Sequence, residues 1–260
     1  MESAVLYERS GLIGYITLNR PHVLNAMNDE WIIALGAAAQ TAHEDSAARV
    51  VVIRGAGRAF CAGADLKEIP RRQELIEHWR THIGPEQEIA RRFRRLAKPL
   101  IAQVHGYAVG GGCEVAMLAD LRIAAEGTKL GFTEVKVGAT VTMGGLYNLT
   151  RIVGAGRAFE LLYTAELIDA AEALRVGLVN RVVAADALEE TVRMLAEKIA
   201  AHYPAELALT RAGVYRAMDA DFDASVGMEL DHALLSHLAG SRIQGMSQQA
   251  ERIRRRKSGS

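Results

Sequence analysis

Short apolar runs alternate with helix-spaced stretches over the first half of the chain. Leu12 to Leu18 (LIGYITL) is a β-rich run closed by Asn19-Arg20-Pro21. Asn28 then caps a helix whose first turn carries Asp29 and Glu30, where the helix dipole favours acids. Trp31, Ile32, Leu35 and Ala38 recur at helical spacing on one face, and the pattern fades near His43. Val50 to Ile53 (VVVI), Leu100 to Val104 (LIAQV) and Leu121 to Ala125 (LRIAA) are continuous apolar runs of the kind that form strands buried on both faces. Between the first two lies a long helical stretch from about Arg71 to Leu96, with Gly84-Pro85 as a point of interruption. Strands alternating with helices predict a mostly parallel α/β core.

The pattern changes near Gly144. Helical spacing then holds almost throughout, over Ala155 to Tyr163, Ala170 to Val176, Ala187 to His202, Ala205 to Met218 and Phe222 to Leu238. Leu178 to Val183 is the one short strand-like interval. No internal repeat or low-complexity linker divides the 260 residues into independent folding units. Lys+Arg and Asp+Glu balance at 31 each, so no overall field draws the chain to nucleic acid or to an anionic membrane. Cys61 and Cys113 are too few for a disulfide framework. The start, MESAVLYERSG, has no apolar run after a basic segment, and no stretch reaches the ~20 apolar residues of a membrane span. A cytoplasmic protein is expected.

Three segments carry candidate chemistry. Gly57 to Glu68 (GRAFCAGADLKE) follows the VVVI strand, and its small residues let backbone approach a ligand closely. A tight turn packed by alanines explains that segment equally well. Gly106 to Glu114 (GYAVGGGCE) follows LIAQV and opens a helix from Cys113 to Leu118, which exposes orphan amides. Together the two loops are able to supply two convergent N–H donors, the geometry of an oxyanion hole. Lys129 to Gly138 (KLGFTEVKVG) sets Glu134 in an apolar context, 20 residues after Glu114. Each glutamate alone reads as a surface residue; beside an oxyanion hole the two are a candidate acid/base pair. No His/Cys cluster has metal-ligand spacing, and none is needed.

The stretches ITLNRPHVLNAMN (Ile16 to Asn28), GRAFCAGADLKE, KPLIAQVHGYAVGGGCEVAMLADLRIAA (Lys98 to Ala125), TEVKVG and GLVNRVV (Gly177 to Val183) resemble the crotonase (enoyl-CoA hydratase/isomerase) superfamily in order and spacing. The resemblance covers about Leu12 to Gly245. It implies an α/β fold, a crotonase-type spiral of ββα units over residues 1–195, then a C-terminal helical region over 196–260 for lid and trimer or hexamer contacts. It implies acyl-CoA thioester substrates, coenzyme A entering only as part of the substrate, with no separate cofactor and no metal. The family's oxyanion donors fall on Ala64 and Gly111, and its acid/base glutamates on Glu114 and Glu134. His22, Val23 and Leu24 match the coenzyme-contacting stretch; Ala62, Gly63, Asp65, Leu66, Lys67 and Gly110 adjoin the oxyanion loops. Lys67 and Arg20 are candidates for phosphate contacts, with a solvated surface role as the alternative.

Keeping both glutamates favours hydration of a 2-enoyl-CoA. Glu114 is then the carboxylate that takes a proton from water, and Glu134 protonates the α-carbon. One departure stands out: Val141 and Thr142 occupy positions where the family usually has proline and glycine, and the glycine amide normally helps to place the water. An isomerase, a thioester hydrolase, a lyase of the same fold, or a non-catalytic CoA- or RNA-binding relative remain open. His78 and His82 are read as surface or packing residues ahead of acyl contacts, and both cysteines as small buried side chains. The basic run from Glu251 to Lys257 is read as a frayed tail.

Overall fold

A computed structural model describes residues 3–67 and 75–258. The strands are β1 (Val5–Ser10), β2 (Ile13–Leu18), β3 (Val50–Gly55), β4 (Leu100–Val104), β5 (Tyr107–Val109), β6 (Leu121–Ala125), β7 (Lys129–Gly131), β8 (Ile168–Asp169) and β9 (Arg181–Val183). The helices are α1 (Asp29–Glu44), α2 (Leu75–His78), α3 (Gly84–Arg95), α4 (Gly111–Met117), α5 (Gly145–Val153), α6 (Ala155–Thr164), α7 (Ala170–Arg175), α8 (Leu188–Ala200), α9 (Pro204–Ala217), α10 (Phe222–Leu238) and α11 (Ser241–Ser258). By compactness the chain divides into residues 1–200 and 201–260.

In the first unit, six strands form one sheet in the order β1-β2-β3-β4-β6-β9, parallel except for the β1–β2 hairpin. Three shorter strands form a second sheet, β5-β7-β8. Isolated bridges Met27–Ala64 and Cys61–Ala108 extend that small layer across the preceding loops. Each turn of the chain thus adds one strand to the large sheet and one segment to the small layer, a spiral of repeating units. The VVVI run shows why its strand is apolar throughout. Val51 and Ile53 join Trp31, Leu35 and Phe93 in one core, while Val50 and Val52 meet Leu188 and Val192 of α8 in the other.

Local chemistry sets the element ends. The Asn28 side chain accepts the Trp31 N–H at 3.0 Å and caps α1. Lys98 Nζ donates to the carbonyls of Ala42 (2.6 Å), His43 (3.0 Å) and Asp45 (2.7 Å), closing the other end. The stretch around Gly84-Pro85 is not broken. A π-helical turn, Trp79–Ile83, precedes α3, and Pro85 falls in the first turn of α3, where a missing N–H is tolerated. The first part of the predicted helix, residues 71–74, lies outside the described residues, as does the His78 side chain.

Asn25 locks the turn that follows β2. Its side chain is fully buried and its Nδ2 donates to the carbonyls of Ala56 (2.9 Å), Ala59 (2.8 Å) and Phe60 (3.1 Å). Its Oδ1 accepts the Arg20 N–H at 2.8 Å. This one amide joins the turn of residues 20–27 to the loop after β3.

In the second unit, α9 packs on α10, with Arg211 buried and stacked over the Tyr215 ring at 4.8 Å. No residue of α10 is buried. The basic run from 252 to 257 forms the last turns of α11 rather than a frayed end, because helical spacing continues past Gly240.

Asn25→Ala removes a side chain that meets three loop carbonyls at once. It is expected to destabilise the protein by roughly 2–5 kcal/mol, read as a lower urea midpoint with an unchanged slope. A midpoint equal to wild type contradicts this role.

Candidate active site

The small layer converges on a cavity of about 480 Å³ in the first unit. Of the residues marked by sequence, Ala62, Gly63, Ala64, Asp65, Leu66, Gly110, Gly111, Glu114, Glu134 and Thr142 line it. His22, Val23, Leu24 and Lys67 do not, although the Leu24 carbonyl accepts the Ala62 N–H at 3.0 Å and ties that run to the loop. Asp65 turns its carboxylate away: Oδ2 takes an ion pair from Arg20 Nη1 at 3.0 Å, and Oδ1 accepts the Lys67 N–H at 3.3 Å. Arg20 also donates to the Ala26 carbonyl at 2.6 Å, so its guanidinium is built into the fold rather than held out for phosphate. Glu68, at the end of the first loop, lies outside the described residues.

Two residues of the lining, Ala64 and Gly111, keep an unassigned backbone donor. Around them the backbone donors are engaged: Met27 N–H to Gly63 C=O (2.8 Å), Asp65 N–H to Met27 C=O (2.8 Å), Gly110 N–H to Gly131 C=O (2.8 Å). Among the described residues no acceptor is assigned to the N–H of Ala64 or of Gly111. The loops that carry them touch closely. A Cβ on Gly63 would stand 2.7 Å from the Val109 carbonyl oxygen and 3.6 Å from Gly111 N. Gly110 has φ +56° and ψ −130°, a conformation that effectively only glycine adopts, and this kink starts α4.

Glu114 lies in the first turn of α4 and is 1% exposed. Thr142 donates to its Oε2 twice, from the backbone N–H at 2.9 Å and from Oγ1 at 3.1 Å. Glu134 begins a short 3-10 turn after β7, and both of its carboxyl oxygens are buried with no hydrogen-bond partner among the described residues. Burial, and then the neighbouring Glu134, push the Glu114 carboxyl well above the ordinary carboxylate range.

Sequence reasoning missed a third carboxyl. Glu86 of α3 is buried against the cavity and receives a contact from Thr142 Oγ1 at 3.1 Å. His82 Nε2 lies 3.5 Å from Glu86 Oε1, and His82 Nδ1 donates to Asp29 Oδ1 at 2.9 Å. His82 therefore belongs to the cavity wall rather than to a solvated surface. Cys61 and Cys113 are buried; burial pushes the Cys61 thiol up to about 12 and raises Cys113 as well, so neither is a thiolate nucleophile at neutral pH.

Residues 8–256 match the family model described as enoyl-CoA hydratase/isomerase. The chain is 38% identical over 226 residues to a short-chain-enoyl-CoA hydratase of Clostridium acetobutylicum, covering 86% of each. A crotonyl-CoA hydratase of Syntrophomonas wolfei is 34% identical over 244 residues, 94% of this chain and 93% of its own. Among solved structures, an enoyl-CoA hydratase from Bacillus anthracis superposes with a TM-score of 0.91 at 33% identity, covering 96% of each chain.

The raised Glu114 carboxyl has a cost in stability. Below the ordinary carboxylate pKa, folded and unfolded chains are both protonated there and nothing is lost. As pH rises from the ordinary value toward the raised folded one, the unfolded chain ionises there while the native group holds its proton, and stability falls until the native group ionises too. Glu114→Gln removes that loss. Its melting temperature is expected to exceed that of wild type by a few degrees in mildly alkaline buffer and to converge with it as pH falls to the ordinary carboxylate pKa, followed by circular dichroism. A gap independent of pH counts against the shift.

Proposed function

The chain belongs to the enoyl-CoA hydratase/isomerase family, and we propose that it adds water across the double bond of a 2-enoyl-CoA to give the 3-hydroxyacyl-CoA. The thioester oxygen sits between the N–H groups of Ala64 and Gly111. Negative charge grows on that oxygen as hydroxide adds at the β-carbon, and each preorganised donor contributes ~3 kcal/mol to the transition state. Glu114 accepts the proton that water loses, and Glu134 delivers a proton to the α-carbon. The sum is one water added; the proton that Glu114 gains is the one that Glu134 must recover before the next turnover. Coupled carboxyls titrate as a set, so the two roles belong to the pair. The coenzyme moiety runs along His22–Leu24 and Ala62–Lys67. No step calls for a metal or for a cofactor beyond the coenzyme A that the substrate carries.

The observation that carries this reading is the unequal provision of donors to the two glutamates. Thr142 aims two donors at Glu114, which favours its ionised, proton-accepting form and works against the rise that burial imposes. Glu134 receives none among the described residues. Thr142 thus serves Glu114 directly through the amide that the family uses at this place to position water.

The reading includes a homotrimer or homohexamer in the cytoplasm. Val226, Leu230, Leu234 and Leu238 repeat every fourth residue along α10 and are all exposed, an apolar stripe that suits a second copy of the chain. Both cysteines are free thiols, and among the described residues no helix is long and apolar enough to cross a membrane.

Glu114→Gln and Glu134→Gln are each expected to lower kcat by about 10²–10⁴-fold with little change in KM, followed by loss of the conjugated enoyl absorbance of crotonyl-CoA. If either variant keeps nearly full activity, the two-carboxylate mechanism is wrong. Light scattering on a sizing column is expected to give three or six times the monomer mass, and Leu230→Glu with Leu234→Glu to reduce it; a wild-type monomer sinks the assembly.

A further inference from the structure

Thr142 Oγ1 lies 3.1 Å from Glu86 Oε2 and 3.1 Å from Glu114 Oε2. A hydroxyl has one proton to donate and can accept others. It can therefore satisfy only one ionised carboxylate, and the second carboxyl fits at that distance only by being protonated and donating to Oγ1. The backbone breaks the tie. Thr142 N–H also reaches Glu114 Oε2, at 2.9 Å, whereas no backbone donor is assigned to Glu86 among the described residues. We propose that Glu86 is a positioning residue for the hydration: as a neutral carboxylic acid it donates to Thr142 and turns the Thr142 hydroxyl onto Glu114, where it stabilises the carboxylate form in which Glu114 activates water.

The surroundings fit a neutral Glu86. It is 6% exposed in a wall shared with Glu114 of α4, Glu134 of the 3-10 turn and Asp29 of α1, and whichever of these acids is ionised disfavours a further negative charge. Among the described residues the basic side chain beside it is His82, on the preceding turn, at 3.5 Å and already bonded to Asp29. Burial raises the Glu86 carboxyl above its usual range, and only His82 and the Thr142 hydroxyl oppose that. The departure from glycine at residue 142 has a purpose in this arrangement: a glycine would keep the amide and lose the hydroxyl that links the two carboxyls.

The inference rests on Glu114 being the base, so its test uses one readout that is independent of turnover. The infrared difference between wild type and Glu86→Gln at neutral pH is expected to contain the carbonyl stretch of a neutral carboxylic acid. Loss of carboxylate bands alone overturns the proposal and leaves an ion pair with His82 in its place. In kinetics, Glu86→Leu is expected to lower kcat about tenfold or more with KM nearly unchanged, and Glu86→Gln, which keeps a neutral donor, to recover most of that loss. The acid limb of kcat/KM should stay in place in Glu86→Gln, because no charge has been removed; a limb displaced to lower pH means Glu86 was ionised and overturns the proposal. Thr142→Val should lower kcat and move the acid limb to higher pH, and Glu86→Leu should add little to it. Full additivity of the two changes also overturns the link. Activity retained by Glu114→Gln would refute the base assignment itself, while the infrared band still reports on Glu86 alone.

Discussion

A carboxyl group carried out of water must be neutral or must be met by donors; left ionised and bare it costs several kcal/mol. Glu114 is under that constraint, and much of the first unit is arranged to satisfy it. The glycine kink at Gly110 starts α4 where its first turn faces the cavity. The turn at residues 141–145 then brings an amide and a hydroxyl onto the same oxygen. In the proposed hydration the base and the acid are of the same chemical type, and such a pair is told apart by environment. Here the Thr142 donors fall on Glu114.

The spiral makes that arrangement rigid. Ala64 and Gly111 belong to loops from successive turns, and those loops are joined as neighbouring segments of the small layer through the Met27–Ala64 and Cys61–Ala108 bridges. The amides are held by backbone pairing rather than by a floating loop. Asn25 fastens the same layer to the large sheet from beneath, through three carbonyls of the adjoining loop. Side chains in this region are small because backbone fills the space: a Cβ on Gly112 would stand 2.2 Å from the Cys61 carbonyl oxygen.

How far each part is legible in the sequence depends on how many faces of an element are buried. β4 and β6 coincide with LIAQV and LRIAA because both faces are covered, and the Asn28 cap announces α1 locally. β1, VLYERS, is exposed at its outer end and gives no such run. The strands of the small sheet are two or three residues long, too short for any periodicity. Ala64, Gly111, Glu114 and Glu134 were reachable through motifs. Asn25 resembles an ordinary turn residue, and only the three carbonyls that close on it reveal its task. Glu86 stands beside Pro85 in a segment rich in Arg and Glu, where a charged residue reads as solvent-facing; its contact with Thr142 comes from 56 positions away in the chain. The Ile89 and Phe93 spacing with Glu86 was the available signal, since the three share one helix face.

That shared face gives the π-helical turn a meaning for how such cavities diversify. Ile89 and Phe93 fix the phase of α3, and Glu86 with it. The turn at Trp79–Ile83 contains one residue more than an α-helical turn, so the stretch before it is rotated by about 100° from where an unbroken helix would hold it. Deleting or inserting a single residue there works like a ratchet with discrete stops: it turns the helix before it by a fixed step while Glu86, Glu114 and Glu134 keep their settings. One wall of the chamber is in this sense indexed separately from its chemistry.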